Sequence, residues 1–414
     1  MYFKHKKKRK EIIEELKRVN PKLWRNLISE AEKRGDIEAR RVSSFIECIE
    51  DFYRNDADRI LKRISIPSYN GSFKNSLKKY YKVPVVSIDG SIAFGGTIST
   101  NYYVMISSSI VIFPDYSDKS IIEPIVKVEP QIKSYSTEIN EDDIKKIALL
   151  DMMAEEVNRM NDSIELLSEV GINEKAAIII DGPIIDPPKG NRKNQKYLNY
   201  VKKRVNVIMK HLKRGNIVIG YVKRVTGRTF IESQKSTLER FKFPLDIGKI
   251  GSLYMTNDSS FLNILFEKET LVINTLTDTR KDYVVYTKPE EIPININDYD
   301  LYKMEGLHVY FTYAKIGINS YPRRKVIRIE IAFSEDNLNQ NYIDSIFEEA
   351  LKIIYLWTPI GLNHPMPIQI AHNSCTIRRR VAKVLIKDIM TRFIAMKLPN
   401  LNERFKLYLL KEAE

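Results

Sequence analysis

Two aspartates stand where apolar segments end, and each is followed by glycine. Asp89 follows residues 85–88, and Asp181 follows residues 176–180. A carboxylate beside a buried strand is costly unless it is paired, hydrogen-bonded or bound to a cation, and open sheets bind ligands at the ends of their strands. One Asp-Gly pair alone is more often a plain turn. Two of them in one chain favour a functional site.

The two aspartates predict a metal site if their strands are adjacent and parallel. Asp89 and Asp181 would then converge, and two carboxylates at close range repel unless a divalent cation neutralises them. Oxygen ligands without a cysteine favour Mg²⁺ or Mn²⁺ over Zn²⁺. An ammonium group filling the gap between them, or side chains at opposite ends of the sheet, would contradict this interpretation.

A third acid is expected from the predicted helix 141–169, whose apolar residues recur at steps of three and four. Glu155 and Glu156 are both candidates. Glu156 lies one turn from Met153 and Met160, at the edge of the apolar stripe, whereas Glu155 lies on the polar face. We prefer Glu156.

A histidine is the fourth candidate in the site. His372 follows a proline-bounded loop and opens the predicted helix 373–396. Its imidazole can bind a metal ion or transfer a proton near neutral pH. A lone histidine is more often structural, and the proline-rich context favours the site interpretation.

Several cations are candidates for contacting a phosphate backbone. Lys223 lies just past the apolar run 217–222, and Arg378 and Arg379 follow His372. The basic run 202–204 is a weaker candidate, and for all of them a solvated surface role stays open. Separately, Arg328 and Glu330 alternate onto one face of a predicted strand, which favours a structural ion pair over catalysis.

The composition is that of a globular protein with a basic surplus. Lysine plus arginine number 67 against 53 for aspartate plus glutamate, which gives a net charge of +14. An anionic partner is favoured, with nucleic acid first, although a lysine-rich composition of the thermophilic kind is an alternative. No apolar run approaches the roughly 18 to 20 residues of a membrane span, and the basic N-terminus argues against a signal peptide. We therefore expect a cytoplasmic protein without membrane contact.

The order of elements predicts an α/β fold in two parts. Residues 1–80 form an expected N-terminal helical segment, closed by the turn-forming cluster 67–72, and residues 81–414 form the main domain. In that domain a strand meander over 83–113 precedes the helix 141–169, a strand at 176–180, a basic helix at 197–212 and a strand at 217–222. Further along we expect strands at 271–276, 282–287, 309–313 and 326–331, and helices at 341–356 and 377–396.

This order of strands and acids resembles the ribonuclease H-like architecture, a mixed sheet flanked by helices. From about residue 83 to residue 394, the chain resembles the NurA-type nucleases, archaeal DNA-end-processing partners of the HerA hexameric ATPase. The matching segments, in order, are Ile88-Asp89-Gly90-Ser91, Ile180-Asp181-Gly182-Pro183, Ile219-Gly220-Tyr221-Val222-Lys223, Ile327-Arg328-Ile329-Glu330 and His364-Pro365-Met366-Pro367-Ile368-Gln369-Ile370-Ala371-His372.

The resemblance implies a metal-dependent exo- and endonuclease that acts on single-stranded DNA and on duplex ends in DNA repair by homologous recombination. By that likeness Asp89, Glu156 and Asp181 correspond to the acidic metal ligands, and His372 to the histidine that closes the site. It also implies Mn²⁺ (or Mg²⁺) as cofactor, a homodimer, and docking onto a HerA-type ATPase.

One position departs from the family pattern. His364 stands where family members have an aromatic residue, commonly tyrosine, so imidazole replaces a phenol or its role is lost. The alternative function is a catalytically inactive NurA-like paralogue that binds DNA or regulates HerA, because basic charge would serve both.

Overall fold

The structure is a computed structural model of the chain. It describes Glu14, Arg18 and residues 21–67, 72–98, 100–115, 123–173, 175–186, 194–225, 227–241, 257–276, 281–294, 296–318 and 324–397. The chain divides into two compact units, one made of residues 1–59 and 226–268 and the other of residues 60–225 and 269–414. The turn-forming residues 68–71 lie outside the described part.

The first unit is helical in its described residues. Helix α1 covers Pro21–Ile60, and this unit also holds α5 (Thr229–Ser233) and α6 (Lys235–Arg240). Phe52 packs edge-on against Phe261, with ring centroids 5.4 Å apart. An N-terminal helix was expected, and it is present.

The second unit is built on a ten-stranded mixed sheet. Its strands are β1 (Leu61–Pro67), β2 (Val85–Ile98), β3 (Asn101–Phe113), β4 (Ile125–Ser136), β5 (Ala177–Ile180), β6 (Ile217–Val222), β7 (Lys281–Thr287), β8 (Glu290–Glu291), β9 (Leu307–Ile316) and β10 (Ile327–Ser334). Nine follow the order β1-β7-β9-β10-β6-β5-β2-β3-β4, and β8 pairs with β9. Strand β5 pairs in parallel with β2 and with β6, and the remaining pairs are antiparallel.

Helices cover both faces of this sheet. They are α2 (Ser72–Tyr81), α3 (Glu141–Glu169), α4 (Gln195–Lys213), α8 (Tyr299–Met304), α9 (Gln340–Leu356), α10 (Met366–Cys375) and α11 (Arg379–Lys397). A further helix, α7, covers Asp258–Leu276 and has residues in both units. Val104 of β3 packs with Ala148 of α3, whereas the next residue, Met105, packs with Ala382 of α11. Because successive strand residues point to opposite faces, α3 and α11 lie on opposite sides of the sheet. A hydrophobic core on the α9–α10 side of the sheet includes Trp357.

The expected mixed α/β sheet flanked by helices is confirmed. In the described part of the chain, no helix is both long and apolar enough to cross a membrane. Cys48 and Cys375 are free thiols.

Three sequence predictions for the elements were wrong. Strand β1 lies in the segment that we assigned to the N-terminal helices, so the sheet extends across the boundary expected at residue 80. Residues 271–276 end helix α7, because a short apolar run does not distinguish a buried helix from a strand. His372 lies in the last turn of α10 and does not open the following helix. Strand β4 was not predicted, since it is an edge strand whose apolar residues remain largely exposed.

A buried histidine joins α4 to α3 and β5. His211 donates from Nε2 to the carbonyl oxygen of Met160 at 2.9 Å, and its Nδ1 accepts from Nδ2 of Asn216 at 3.0 Å. Asn216 in turn accepts from the backbone N–H of Ala176. This network uses the neutral imidazole, and burial lowers the pKa of His211 to about 4.

We predict that acid destabilises this unit through His211. The unfolded chain binds a proton near the ordinary pKa of 6.5 and the folded chain only near 4, so stability is full above 6.5 and falls as the pH drops towards 4. The loss is about 3 kcal/mol at about 1.4 kcal/mol per pH unit. Urea unfolding of wild type and His211→Gln at pH 7 and pH 4.5 checks this; an identical pH dependence in both proteins would contradict it.

Candidate metal centre

The site lies where the parallel pairing of β2 with β5 ends: β5 stops at Ile180, whereas β2 continues past Asp89. The parallel pairing of β2 and β5 runs from Val85 with Ala177 to Ile88 with Ile180. Asp89 and Asp181 each come directly after the last paired residue, and the N–H of Asp181 donates to the carbonyl oxygen of Ile88 at 3.0 Å. The register therefore brings both acids to the same end of the β2–β5 pairing, which is the arrangement that the sequence predicted for a metal site.

His372 reaches the same place from α10. Its Nδ1 lies 2.8 Å from Oδ2 of Asp89 and 3.8 Å from Oδ2 of Asp181. One ligand atom from each of these three residues lies within 4.8 Å of the others. Helix α10 is tied to the sheet by Ser109, whose hydroxyl donates to the carbonyl oxygen of Ala371 at 2.9 Å.

The three side chains differ in their access to solvent. The side chains of Asp89 and Asp181 are only 6% and 10% exposed, whereas that of His372 is 53% exposed. The carboxylates are therefore largely desolvated, while the imidazole borders open solvent. A ligand can approach the aspartates from the histidine side.

Glu156 approaches from the other face of the sheet. A side chain on Gly90 would begin 2.6 Å from Oε1 of Glu156, so the glycine provides the space that this carboxylate occupies. Asp89 and Gly90 are consecutive strand residues and point to opposite faces. Glu156 is buried, and burial, followed by the charge of Asp186, raises the pKa of its carboxyl well above the ordinary value. It does not belong to the three-residue cluster, but it lies close enough to interact electrostatically with both aspartates.

The neighbouring acid, Glu155, is turned away from the aspartates. It accepts a hydrogen bond from Asn158 at 3.0 Å and lies 3.8 Å from the ammonium of Lys133. Of the two glutamates weighed from the sequence, Glu156 is therefore the one that faces the candidate site.

Lys223 pairs with one of the aspartates. Its ammonium donates to Oδ2 of Asp181, and it acts on Asp89 only as a more distant charge. The imidazole of His372 is hydrogen-bonded to Asp89 and lies 3.8 Å from the carboxylate of Asp181. An ammonium filling the gap would have contradicted a metal site; here the ammonium binds one edge of the pair.

The charges around the aspartates do not balance. Burial, followed by the charge of Asp181, raises the pKa of Asp89 to about 6, despite the opposing effects of His372 and Lys223. Four carboxylates meet here with two permanent cations, so full ionisation of the acids would leave two negative charges in excess, and the raised pKa values of Asp89 and Glu156 oppose that ionisation. The residues concerned are the acids Asp89, Glu156, Asp181 and Asp186 and the cations Lys223 and Arg204. A divalent ion with oxygen and imidazole ligands fits both this charge and this donor set.

Asp186 was not predicted from the sequence as a member of this cluster, and Arg204 was considered there only as part of a basic run. Arg204 lies 3.0 Å from Asp186, and both are buried. Two signals were available. Asp186 follows two isoleucines, although proline and not glycine comes next, and Arg204 falls on the apolar stripe of α4 with Tyr197, Val201 and Ile208.

The remaining predicted residues occupy distinct positions. Arg328 and Glu330 form the expected ion pair at 2.7 Å. His364 is half-buried, and its Nδ1 lies 3.3 Å from the hydroxyl of Tyr221. Arg378 and Arg379 are exposed. The residue before them, Ile377, donates its N–H to the hydroxyl of Ser91 at 3.2 Å, which places this segment two strand residues beyond Asp89.

We predict that replacing Asp89 stabilises the protein when metal is chelated. Its carboxyl has an ordinary pKa of 3.8 and about 6 in the fold, so its contribution is favourable below 3.8 and is lost as the pH rises through 6. At pH 8 the ionised group costs about 1 to 3 kcal/mol. Asp89→Asn should therefore raise the free energy of unfolding by this amount at pH 8 in EDTA and by much less at pH 4.

Urea unfolding measures both values, and Asp336→Asn, at an exposed position in a short 3-10 helix, is the matched control that should change neither. An Asp89→Asn protein no more stable than wild type at pH 8 would refute the claim that this carboxylate is strained.

Two crystal structures of known proteins are similar to this chain. A crystal structure of NurA matches with a TM-score of 0.44 and 14% identity over 90% of this chain and 98% of that one. A crystal structure of NurA bound to dAMP and manganese matches with a TM-score of 0.40 and 15% identity over 95% and 99%. No curated protein matches significantly. The NurA domain family model matches residues 83–375, more than two thirds of the sequence, and the chain therefore belongs to the NurA domain family.

Proposed function

We propose that this protein is a metal-dependent nuclease that hydrolyses phosphodiester bonds of DNA. The observation that carries the proposal is the cluster of Asp89, Asp181 and His372, which offers two desolvated carboxylates and a solvent-facing imidazole within 4.8 Å. Membership of the NurA domain family supports the reaction class. The net charge of +14 supports an anionic substrate.

Asp89, Asp181 and His372 would hold the ion, and Glu156 would complete the acidic set from the opposite face. When bound, a divalent cation, Mn²⁺ or Mg²⁺, lowers the pKa of a water and stabilises charge on phosphate oxygens. The half-exposed His372 is placed to exchange a proton with substrate or solvent. Lys223, held at the edge of the carboxylate pair, is placed to contact a phosphate.

The finer assignment follows from the family resemblance. We propose single-stranded DNA and duplex ends as substrates, end resection in recombination as the process, and a HerA-type hexameric ATPase and a second copy of this chain as partners. His364 takes the place of the family's aromatic residue, and its contact with Tyr221 keeps a phenol beside the imidazole.

We predict that Asp89→Ala abolishes manganese-dependent digestion of DNA. Removing the carboxylate eliminates one of three ligands and the hydrogen bond to His372, and a loss of at least about 100-fold in kcat is expected for losing transition-state charge stabilisation. Digestion of single-stranded and blunt duplex DNA with Mn²⁺, Mg²⁺ or EDTA measures it. Asp336→Ala, which removes an exposed acid, should match wild type.

The outcomes separate the two functions that the sequence left open. Equal cleavage by wild type and Asp89→Ala would remove the assignment of the site. DNA binding without cleavage by wild type, with any of the metals, would favour the catalytically inactive paralogue.

A second prediction concerns the exposed arginines. Arg378→Gln/Arg379→Gln should weaken binding to single-stranded DNA and make the slope of log K against log salt shallower by about 0.7 for each phosphate that the variant no longer neutralises. Fluorescence anisotropy in EDTA at several salt concentrations checks this without cleavage.

The control removes the same charge elsewhere. Lys210 and Lys213 are exposed at the end of α4 that leads into the start of β6, opposite the strand ends that carry the aspartates. If Lys210→Gln/Lys213→Gln lowers affinity and slope equally, the DNA contact is not localised at the arginines.

A further inference from the structure

One arginine lies buried beside the candidate site and pairs with an acid other than the two aspartates of the metal cluster. Arg204 of α4 is 1% exposed. Its Nε donates to the carbonyl oxygen of Ile184 and one terminal nitrogen to that of Pro183, both at 2.9 Å. The other terminal nitrogen lies 3.0 Å from a carboxylate oxygen of Asp186 and 3.1 Å from the hydroxyl of Tyr200. All three nitrogens of the guanidinium are therefore engaged.

The backbone that Arg204 binds begins two residues after Asp181. The same stretch is held from its other side by Glu330, whose carboxylate accepts the N–H of Ile184 at 2.7 Å. Gly220 of β6 lets this backbone lie against the strand, because a side chain there would begin 2.9 Å from the nitrogen of Ile184. Residues 183–186 are therefore held between α4 and the sheet, which restricts the path of the backbone just after Asp181.

Arg204 also supplies the charge that the buried acids require. Among the electrostatic influences on Glu156, the guanidinium opposes the repulsion from Asp186, Asp89 and Asp181. A buried carboxylate without a cation costs several kcal/mol. Lys223 contacts Asp181, whereas Arg204 contacts Asp186 and acts on Glu156 through its charge.

We propose that Arg204 is a positioning residue for the metal centre: by clamping residues 183–186 and balancing Glu156 and Asp186, it sets the geometry on which the affinity of Asp181 and its neighbours for a divalent cation depends. The inference rests on the proposed function. Lysine cannot replace it, because one ammonium cannot donate to two successive carbonyls and a carboxylate in a planar arrangement.

The test is direct binding of Mn²⁺, measured by the electron paramagnetic resonance signal of the free ion, with no DNA present. Arg204→Lys should bind Mn²⁺ at least about tenfold more weakly than wild type, which corresponds to about 1.4 kcal/mol. In digestion assays the Mn²⁺ concentration for half-maximal activity should rise accordingly. The kcat at saturating Mn²⁺ should stay within about threefold, since the guanidinium touches no reacting atom.

Arg214→Lys is the matched control. Arg214 follows α4 and donates to the carbonyl oxygen of Ile164 at 2.9 Å, so it also links a guanidinium to backbone, but at the opposite end of the helix from residues 183–186. Its substitution should leave Mn²⁺ binding unchanged.

A double variant guards against misfolding of Arg204→Lys, as judged by circular dichroism. Arg204→Gln/Asp186→Asn removes the buried pair together, so the net charge of the site is preserved and no buried charge loses its partner within the pair. It should also bind Mn²⁺ at least about tenfold more weakly, since the clamp is removed. Wild-type affinity in a folded variant of either kind overturns the inference, whereas absence of Mn²⁺ binding by wild type would overturn the proposed function instead.

Discussion

Mutual repulsion among carboxylates is the constraint around which this site is organised. Parallel pairing of β2 with β5 places Asp89 and Asp181 side by side where that pairing ends. Burial removes the water that would screen their charges. Burial, followed by the charge of Asp181, raises the pKa of Asp89 to about 6. Strain of this kind is common where function requires it, and the surrounding fold must supply the stability that the site gives up.

The compensating groups arrive from different elements. His372 comes from α10, Lys223 follows β6, and Arg204 comes from α4. Glu156 adds a further acid through the space that Gly90 leaves open. Asp89, Asp181 and Asp186 thus each have a partner, His372, Lys223 and Arg204 respectively, and the added charge of Glu156 suits a divalent cation.

The sequence predicted what depends on local pattern. Apolar runs ending in Asp-Gly identified Asp89 and Asp181, and helical spacing distinguished Glu156 from Glu155. It did not predict β1, whose strand state depends on pairing with β7, more than two hundred residues later. It also treated Arg204 as a surface cation, since only tertiary packing shows that the loop after β5 folds back against α4. Charge type is visible in a sequence, whereas the partner of a buried charge is set by topology.

The hydrogen bond between His372 and Asp89 joins residues that are 283 positions apart. During synthesis the N-terminal parts of a chain emerge first, so both aspartates leave the ribosome long before the imidazole exists. A truncated or incompletely translated chain that ends before α10 therefore carries the acids without their histidine. The cluster of Asp89, Asp181 and His372 can therefore form only after α10 has been synthesised and has docked on the sheet.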